Sequence, residues 1–172
     1  HPAFVLFCPG GGGGQIEGRP AGEAFAEAAR ALQAPAVVVR GDWAAERIEH
    51  GDGVLRVGPL ANAALMALLQ RAELAVLGAG SLLLQALSLD VPCVAVALAR
   101  DQSARLQMLE AHAAVIECQP RTESLTTAAR QLWRDESQRQ ALRTRAQTLG
   151  LRNGLEEALI ALEALLSRPL GT

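Results

Sequence analysis

Short apolar segments alternate with longer segments of helical character along most of this chain of 172 residues. The apolar segments are rich in Val, Leu and Ala and carry few polar positions, which is typical of strands buried on both faces of a sheet. Helices between such strands form the crossovers of a parallel sheet. The pattern predicts strands at residues 4–8, 36–39, 54–57, 74–77, 93–98 and 114–117.

The predicted fold class is α/β, with a Rossmann-like, doubly wound parallel sheet of about six strands in the order 3-2-1-4-5-6 and extra C-terminal helices. We expect residues 1–172 to form a single domain. Segment 42–50 fits either a short helix or a loop. The predicted helices cover residues 19–32, 62–71, 81–89, 103–111, 122–134, 136–148 and 155–167.

The carboxyl ends of the strands should meet at one edge of this sheet, because its crossovers are right-handed. Ligands of such sheets bind at that edge, near the switch between the first and fourth strands. The segments expected there are residues 8–14, 40–43, 58–62, 78–81, 99–102 and 118–121.

Five consecutive glycines, residues 10–14, follow the first strand at the predicted binding edge. Glycine allows positive φ and close approach of the backbone to a ligand, and successive N–H groups can form a nest for an anion. A flexible loop without a chemical role is the alternative. The dinucleotide motif G-x-G-x-x-G is matched only because every position is Gly, and Arg40 ends the second strand where that motif expects an acidic residue.

A second turn of small residues, Gly78-Ala79-Gly80-Ser81, lies between the fourth strand and its helix. The N–H groups at a helix N-terminus favour a phosphate, and Ser81 is expected to cap the helix or to contact that phosphate. Gln85 lies one helical turn further on and could bond a ligand hydroxyl or the backbone. Asp101 and Gln102 follow the fifth strand and suit sugar hydroxyls, although Asp101 or Ser103 could instead cap the next helix.

Composition excludes several other functions. The chain has no lysine, so neither a P-loop nor a lysine Schiff base is available. Its net charge is −2, its arginines are dispersed and only 3% of its residues are aromatic, so no nucleic-acid partner is expected. The three cysteines have neither disulfide nor zinc spacing, which fits a reducing cytoplasm, and no metal site is predicted.

The apolar stretch 74–99 could be mistaken for a membrane-spanning helix. Glycines at 78 and 80, then Gln85, Asp90 and Pro92, interrupt it. A strand, a turn, a helix and a second strand explain these interruptions better than a continuous span. We therefore predict no transmembrane segment.

The order of these landmarks resembles the C-terminal domain of two-domain, family-B glycosyltransferases over about residues 4–118. The patterns most similar are those of the peptidoglycan N-acetylglucosamine transferase and the pseudaminic-acid-pathway UDP-sugar hydrolase. In that group "A-D" ends the helix before the fourth strand, "G-G-S-x-x-x-E" opens the next helix, "G-x-P" precedes the fifth strand and a pair ending in Gln follows it. The corresponding residues here are Ala72-Glu73, Ala79-Gly80-Ser81 with Gln85, Asp90-Val91-Pro92 and Asp101-Gln102.

The resemblance implies that a nucleotide-diphosphate sugar, such as a UDP-sugar, binds as substrate, with no cofactor. The backbone around Gly58 and Leu60 would hold the base, and Gly80 and Ser81 would meet the diphosphate. Gln85 would take the ribose position, and Asp101 and Gln102 would meet the sugar. The glycines implied to line the side facing a second domain are Gly11, Gly12, Gly13 and Gly14.

Two departures from the family pattern matter for the site: Gln85 replaces a Glu and Ala79 replaces the first Gly. The resemblance also implies a separate N-terminal domain that binds the acceptor and supplies the catalytic base, so the chain alone is expected to be inactive. The parent enzyme would be cytoplasmic and act in cell-envelope polysaccharide synthesis, which is compatible with peripheral association with a membrane. The alternatives are a non-catalytic binding or assembly module with the same fold, and an NAD-dependent oxidoreductase domain.

Overall fold

A seven-stranded, mostly parallel sheet organises the protein in the computed structural model, which describes residues 2–11, 14–43, 47–152 and 154–166. Its strands are β1 (Val5–Cys8), β4 (Ala36–Val39), β5 (Ile48–Gly51), β6 (Val54–Val57), β7 (Leu74–Gly78), β8 (Cys93–Val96) and β9 (Ile116–Glu117). Their spatial order is β5-β6-β4-β1-β7-β8-β9. The predicted fold class and the predicted order of six strands are confirmed, and β5 is an addition at one edge.

Strand β5 runs antiparallel to β6, with Ile48 opposite Val57 and Gly51 opposite Val54. The two residues between the strands, Asp52 and Gly53, have φ values of 54° and 73°. An Asp-Gly pair with positive φ at both positions is a strong signal for a tight β-hairpin. The expectation of a helix or a loop over residues 42–50 was therefore wrong for the segment that forms β5.

Helices cover both faces of the sheet, which explains why its strands are apolar throughout. The helices are α1 (Ala21–Leu32), α2 (Asn62–Leu69), α3 (Ser81–Ser88), α4 (Gln102–Ala111), α5 (Thr122–Arg134), α6 (Glu136–Thr148) and α7 (Leu155–Leu166). Alternate residues of β1 enter opposite halves of the core: Val5 and Phe7 pack with residues of α1 and α5, whereas Leu6 and Cys8 pack with residues of α3 and α4.

The glycine-rich loop leads into a short hairpin rather than directly into a helix. Strands β2 (Gln15–Ile16) and β3 (Arg19–Pro20) pair antiparallel around Glu17 and Gly18, whose φ values are 53° and 77°. Helix α1 consequently begins at Ala21, two residues later than predicted. The Ala21 N–H donates to the carbonyl oxygen of Gly14 at 2.8 Å, which ties the end of the glycine-rich loop to the helix.

The tip of this hairpin caps a helix that is distant in the sequence. The Glu17 carboxylate accepts hydrogen bonds from the Thr122 hydroxyl at 2.9 Å and from the Thr122 N–H at 3.3 Å, at the start of α5. Arg19 also donates to the Thr122 hydroxyl at 2.7 Å. A carboxylate at a helix N-terminus satisfies N–H groups that have no partner within the helix.

We predict that this contact makes the stability of the protein depend on pH in the acidic range. The bonds from Thr122 hold the pKa of Glu17 below its usual value of 4.5. A carboxyl group whose pKa is lowered on folding stabilises the protein above its unfolded-state pKa, and this contribution is lost as the pH falls through the folded-state pKa. The denaturant concentration at the unfolding midpoint should be measured at several pH values. At pH 7 it should therefore be higher for the wild type than for Glu17→Gln, and the two values should converge at acidic pH. A constant difference at all pH values would contradict this assignment.

None of the described helices is both long enough and apolar enough to cross a membrane. The apolar stretch 74–99 instead contains β7, α3 and β8, in agreement with the prediction. Helix α7 carries several exposed apolar side chains, among them Leu159, Ile160 and Leu166.

Candidate functional site

A cavity of about 460 Å³ opens at the carboxyl edge of the sheet, where the strand order reverses between β1 and β7. This is the position at which open α/β sheets bind their ligands. Its lining comes from the turns after β1, β4, β6, β7 and β8 and from the first turns of α2, α3 and α4. The lining residues are Cys8, Pro9, Gly10, Gly11, Gly14, Val39, Gly41, Pro59, Leu60, Asn62, Leu65, Gly78, Gly80, Ser81, Leu82, Gln85, Leu98, Ala99 and Gln102.

Most of the residues predicted to form the site meet in this cavity. Those that line it are Gly11, Gly14, Leu60, Gly80, Ser81, Gln85 and Gln102. Gly12 and Gly13 lie outside the described residues. Gly58 and Asp101 are absent from the lining, and so is the segment after β9. The cavity thus joins five of the six loops expected at this edge, with no contribution from residues 118–121.

Gly58 and Asp101 have other surroundings. Gly58 is buried, and its N–H donates to the carbonyl oxygen of Arg47 at 2.8 Å. Asp101 is exposed at the N-cap position of α4, but its side chain accepts no capping hydrogen bond. Neither group lies on the cavity surface, so contacts of Gly58 with a base and of Asp101 with a sugar remain sequence-based predictions.

Glycines let the loops around the cavity approach one another closely. A Cβ on Gly78 would lie 2.3 Å from the carbonyl oxygen of Pro9, and one on Gly41 would lie 2.8 Å from that of Gly10. A Cβ on Gly14 would lie 2.8 Å from the Cβ of Leu98. Real Cβ atoms do not approach other heavy atoms this closely, so the cavity walls depend on the absence of side chains at these positions.

Three helices begin at the cavity, with Asn62, Ser81 and Gln102 as their first residues. Ser81 was expected either to cap α3 or to contact a phosphate. The capping role was wrong, because Gly80 occupies the N-cap position and no side chain caps this helix. The N–H groups of Gly80 and Ser81 donate no hydrogen bond to any described residue. These N–H groups and the positive end of the helix dipole favour an anion in the cavity.

Two glutamine side chains give the cavity polar groups. The Gln102 Oε1 accepts a hydrogen bond from the Leu98 N–H at 2.9 Å. Its Nε2 therefore remains as a donor near Gly80, where it would lie 3.7 Å from an added Cβ. The Gln85 side chain is half-buried and has no hydrogen-bond partner among the described residues. Both amides are placed to bond hydroxyl or phosphate oxygens of a ligand.

No described residue in the lining has a charged side chain. Burial raises the pKa of the Cys8 thiol to about 11, against a smaller lowering by the Gly10 N–H, so Cys8 is a neutral thiol packed in the wall. Arg40 is absent from the lining, and its Nε and Nη2 donate to the Asp42 carboxylate at 2.8 and 2.7 Å. A ligand anion would therefore be held by N–H groups and amides.

This chemistry suits a ligand that combines a phosphate group with hydroxyls. The described part of the chain contains no cluster of three His, Cys, Asp or Glu side chains that could hold a metal ion. The cavity also has a half-buried apolar wall, formed by Leu60, Leu65 and Leu82, against which a ring could pack.

Some lining residues were expected at this edge only as members of loops. Asn62, Gly41 and Gly78 fall in the predicted segments 58–62, 40–43 and 78–81, but none of the three was selected as a site residue. The available signal was their position at the carboxyl ends of strands. Leu65 gave no such signal, since only the packing of α2 on the sheet brings it to the cavity wall.

A scan of protein-family models finds none that matches this chain, and no curated protein is similar to it in sequence. Solved structures are similar in fold. The calicheamicin glycosyltransferase CalG4 superposes with a TM-score of 0.68 at 17% identity, over 99% of this chain and 45% of that protein. The glycosyltransferase SsfS6 of Streptomyces sp. SF2575, complexed with thymidine diphosphate, gives 0.57 at 19% identity, over 86% of this chain and 38% of that protein.

The same fold also occurs in an enzyme of another kind. The putative UDP-N-acetylglucosamine 2-epimerase of Listeria monocytogenes gives a TM-score of 0.62 at 14% identity, over 83% of this chain and 39% of that protein. The chain therefore spans about two fifths of the length of these solved structures. Its Rossmann-like fold is that of the C-terminal domains of family-B glycosyltransferases.

Proposed function

We propose that this chain is the nucleotide-diphosphate-sugar-binding domain of a glycosyltransferase. The observation that carries the proposal is the uncharged cavity at the strand switch, where the N-termini of three helices meet two glycine-rich turns. Such a cavity can hold a diphosphate through N–H groups. The glycosyltransferase class is supported by the fold shared with CalG4 and SsfS6.

Each part of the cavity matches one part of such a ligand in this proposal. The free N–H groups of Gly80 and Ser81 bind the diphosphate, and the Gln85 amide bonds the ribose hydroxyls. The Nε2 of Gln102 donates to the sugar or to its phosphate, while the backbone near Leu60 lies beside the base. Only five aromatic residues occur in the chain, so the base is held chiefly by backbone hydrogen bonds and aliphatic contacts.

The chain contributes to catalysis by stabilising the leaving group. Negative charge builds up on the nucleotide diphosphate as the glycosidic bond breaks, and N–H groups fixed at the N-terminus of α3 stabilise that charge without reorganisation. The acceptor and the catalytic base would be supplied by another part of a longer protein, an N-terminal domain in the proposed architecture. This division agrees with the two fifths of the related structures that the chain spans.

A finer assignment follows from the sequence motifs. The residues Gly80, Ser81 and Gln102 favour a UDP-sugar as the donor and a similarity to the peptidoglycan N-acetylglucosamine transferase group. An enzyme of that group would act in cell-envelope polysaccharide synthesis on the cytoplasmic side, with peripheral contact to the membrane. A non-catalytic binding module is the second candidate, and the observation that favours it is Gln85 in place of the family's Glu.

Calorimetric titration with UDP, GDP, dTDP, CMP and NAD tests the proposal. We expect one nucleoside diphosphate to bind with a Kd of about 1 mM or below, which corresponds to roughly 4 kcal/mol. NAD should not bind, because Arg40, held by Asp42, replaces the acidic residue that would bond its ribose. Failure of all the nucleotides to bind would overturn the proposal and favour the non-catalytic module, whereas binding of NAD alone would favour an oxidoreductase.

A further inference from the structure

An arginine behind the glycine-rich turn holds one of the peptide groups that face the cavity. Arg105, in α4, donates from Nη1 to the carbonyl oxygen of Ala79 at 2.9 Å. The bond joins α4 to the turn between β7 and α3. Arg105 is half-buried and lies outside the cavity lining, so it would not touch a ligand there.

This bond fixes the direction of the next N–H group. The carbonyl of Ala79 and the N–H of Gly80 belong to one planar trans peptide, in which the two point in opposite directions. Since the carbonyl accepts a hydrogen bond from Arg105, the Gly80 N–H is directed away from Arg105, and Gly80 is one of the residues that line the cavity. The Ala79 N–H on the other side is fixed by a 2.9 Å bond to the carbonyl oxygen of Val96.

The guanidinium also brings a positive charge close to the turn. Among the described residues, no carboxylate forms an ion pair with Arg105. Its charge therefore reaches the cavity through the Ala79–Gly80 peptide, whose dipole it aligns and strengthens. In a cavity whose described lining has no charged side chain, this is a means of attracting a phosphate without direct contact.

We propose that Arg105 is a positioning residue for phosphate: it orients the Gly80 N–H toward the anion and supports that bond with its charge. This inference rests on the proposed nucleotide-binding function. It predicts that Arg105 affects the phosphate-bearing part of a ligand and leaves contacts with the nucleoside unchanged.

The test compares UDP with uridine, which lacks the phosphates, by NMR titration of the wild type and Arg105→Met. Loss of the charge-assisted hydrogen bond to Ala79 and of the positive charge of Arg105 should weaken UDP binding about tenfold or more. The Kd of uridine should change by less than about twofold. The Gly80 amide resonance should shift in the ligand-free variant, because its peptide loses the bond at Ala79. Arg105→Gln removes the charge and keeps a hydrogen-bond donor, so we expect a smaller loss of UDP affinity. If Arg105→Met does not fold, Arg105→Gln takes its place in the test.

Arg134→Met is the matched control. Arg134 is exposed at the end of α5, lies outside the cavity lining and makes no side-chain hydrogen bond or ion pair with a described residue. This variant removes the same charge away from Ala79 and should keep UDP affinity within about twofold. Equal weakening of UDP and uridine by Arg105→Met, or an unchanged Kd for UDP, would overturn the role of Arg105 alone. Absence of UDP, GDP and dTDP binding to the wild type would overturn the proposed function together with this inference.

Discussion

Gly78→Ala should destabilise the protein more than any other single methyl group added near the cavity. The new Cβ would lie 2.3 Å from the carbonyl oxygen of Pro9 and 3.0 Å from Cδ1 of Leu98, and the first of these is backbone that cannot rotate away. We expect a loss of about 3 kcal/mol, at the upper end of the range for overpacking. For a domain of this size that loss lowers Tm by roughly 6–12 °C, measurable by calorimetry or circular dichroism.

Gly80→Ala is the matched control for this effect. The two glycines lie in the same turn, but a Cβ on Gly80 would meet only Nε2 of Gln102, at 3.7 Å, which is an ordinary contact. Neither glycine has a positive φ, so the comparison isolates crowding from backbone strain. The Tm of Gly80→Ala should stay within about 2 °C of the wild type. Equal Tm values for the two variants would show that the turn relaxes and that Gly78 is not required for close packing.

The double variant Gly80→Val, Ser81→Ala should abolish nucleotide binding while the protein stays folded. The valine fills the space in which a phosphate would approach the N–H groups of Gly80 and Ser81, and the alanine removes the Ser81 hydroxyl. Loss of two or more bonds to a charged phosphate should weaken binding at least about 100-fold. Titration with the nucleoside diphosphate that the wild type prefers measures the effect, and circular dichroism verifies the fold.

The control for the double variant is Gly154→Val, Ser137→Ala, which makes the same chemical changes away from the cavity. A Cβ on Gly154 would have open space around it, and Ser137 is exposed in α6. Affinity should be that of the wild type. If the double variant at Gly80 and Ser81 bound the nucleotide normally, the ligand site would have to lie elsewhere on the protein.

The sheet could be predicted from the sequence because its strands are short, apolar and separated by helices, and because crossover chirality restricts their order. The edge hairpin of β5 and β6 was missed because Glu49 and His50 interrupt the apolar pattern of β5. The Asp52-Gly53 pair was the available signal. Propensity alone also extended the first helix to Arg19, which pairs with Ile16 in the hairpin that follows the glycine-rich loop.

Much of the cavity could be predicted for the same reason, since its loops follow strands at one edge. Spacing in the sequence could not show that the Gly58 N–H is engaged by Arg47 or that Gln102 presents its Nε2 and not its oxygen. Both facts depend on where separate loops come to lie in three dimensions. The long-range bond from Arg105 to Ala79 belongs to the same class, as it joins residues 26 positions apart in the sequence.

The close contacts of Gly14, Gly41 and Gly78 also determine which changes in the gene the fold can tolerate. Every single-base change in a glycine codon that alters the amino acid either stops translation or introduces a residue with a Cβ. At these three positions, therefore, no amino-acid replacement reachable by one base change avoids the crowding. Positions such as Gln85 and Ser81, whose side chains face an open cavity, can change without unfolding the protein. Substitutions at such positions can therefore change which ligand the cavity prefers while the close packing of its glycine loops stays the same.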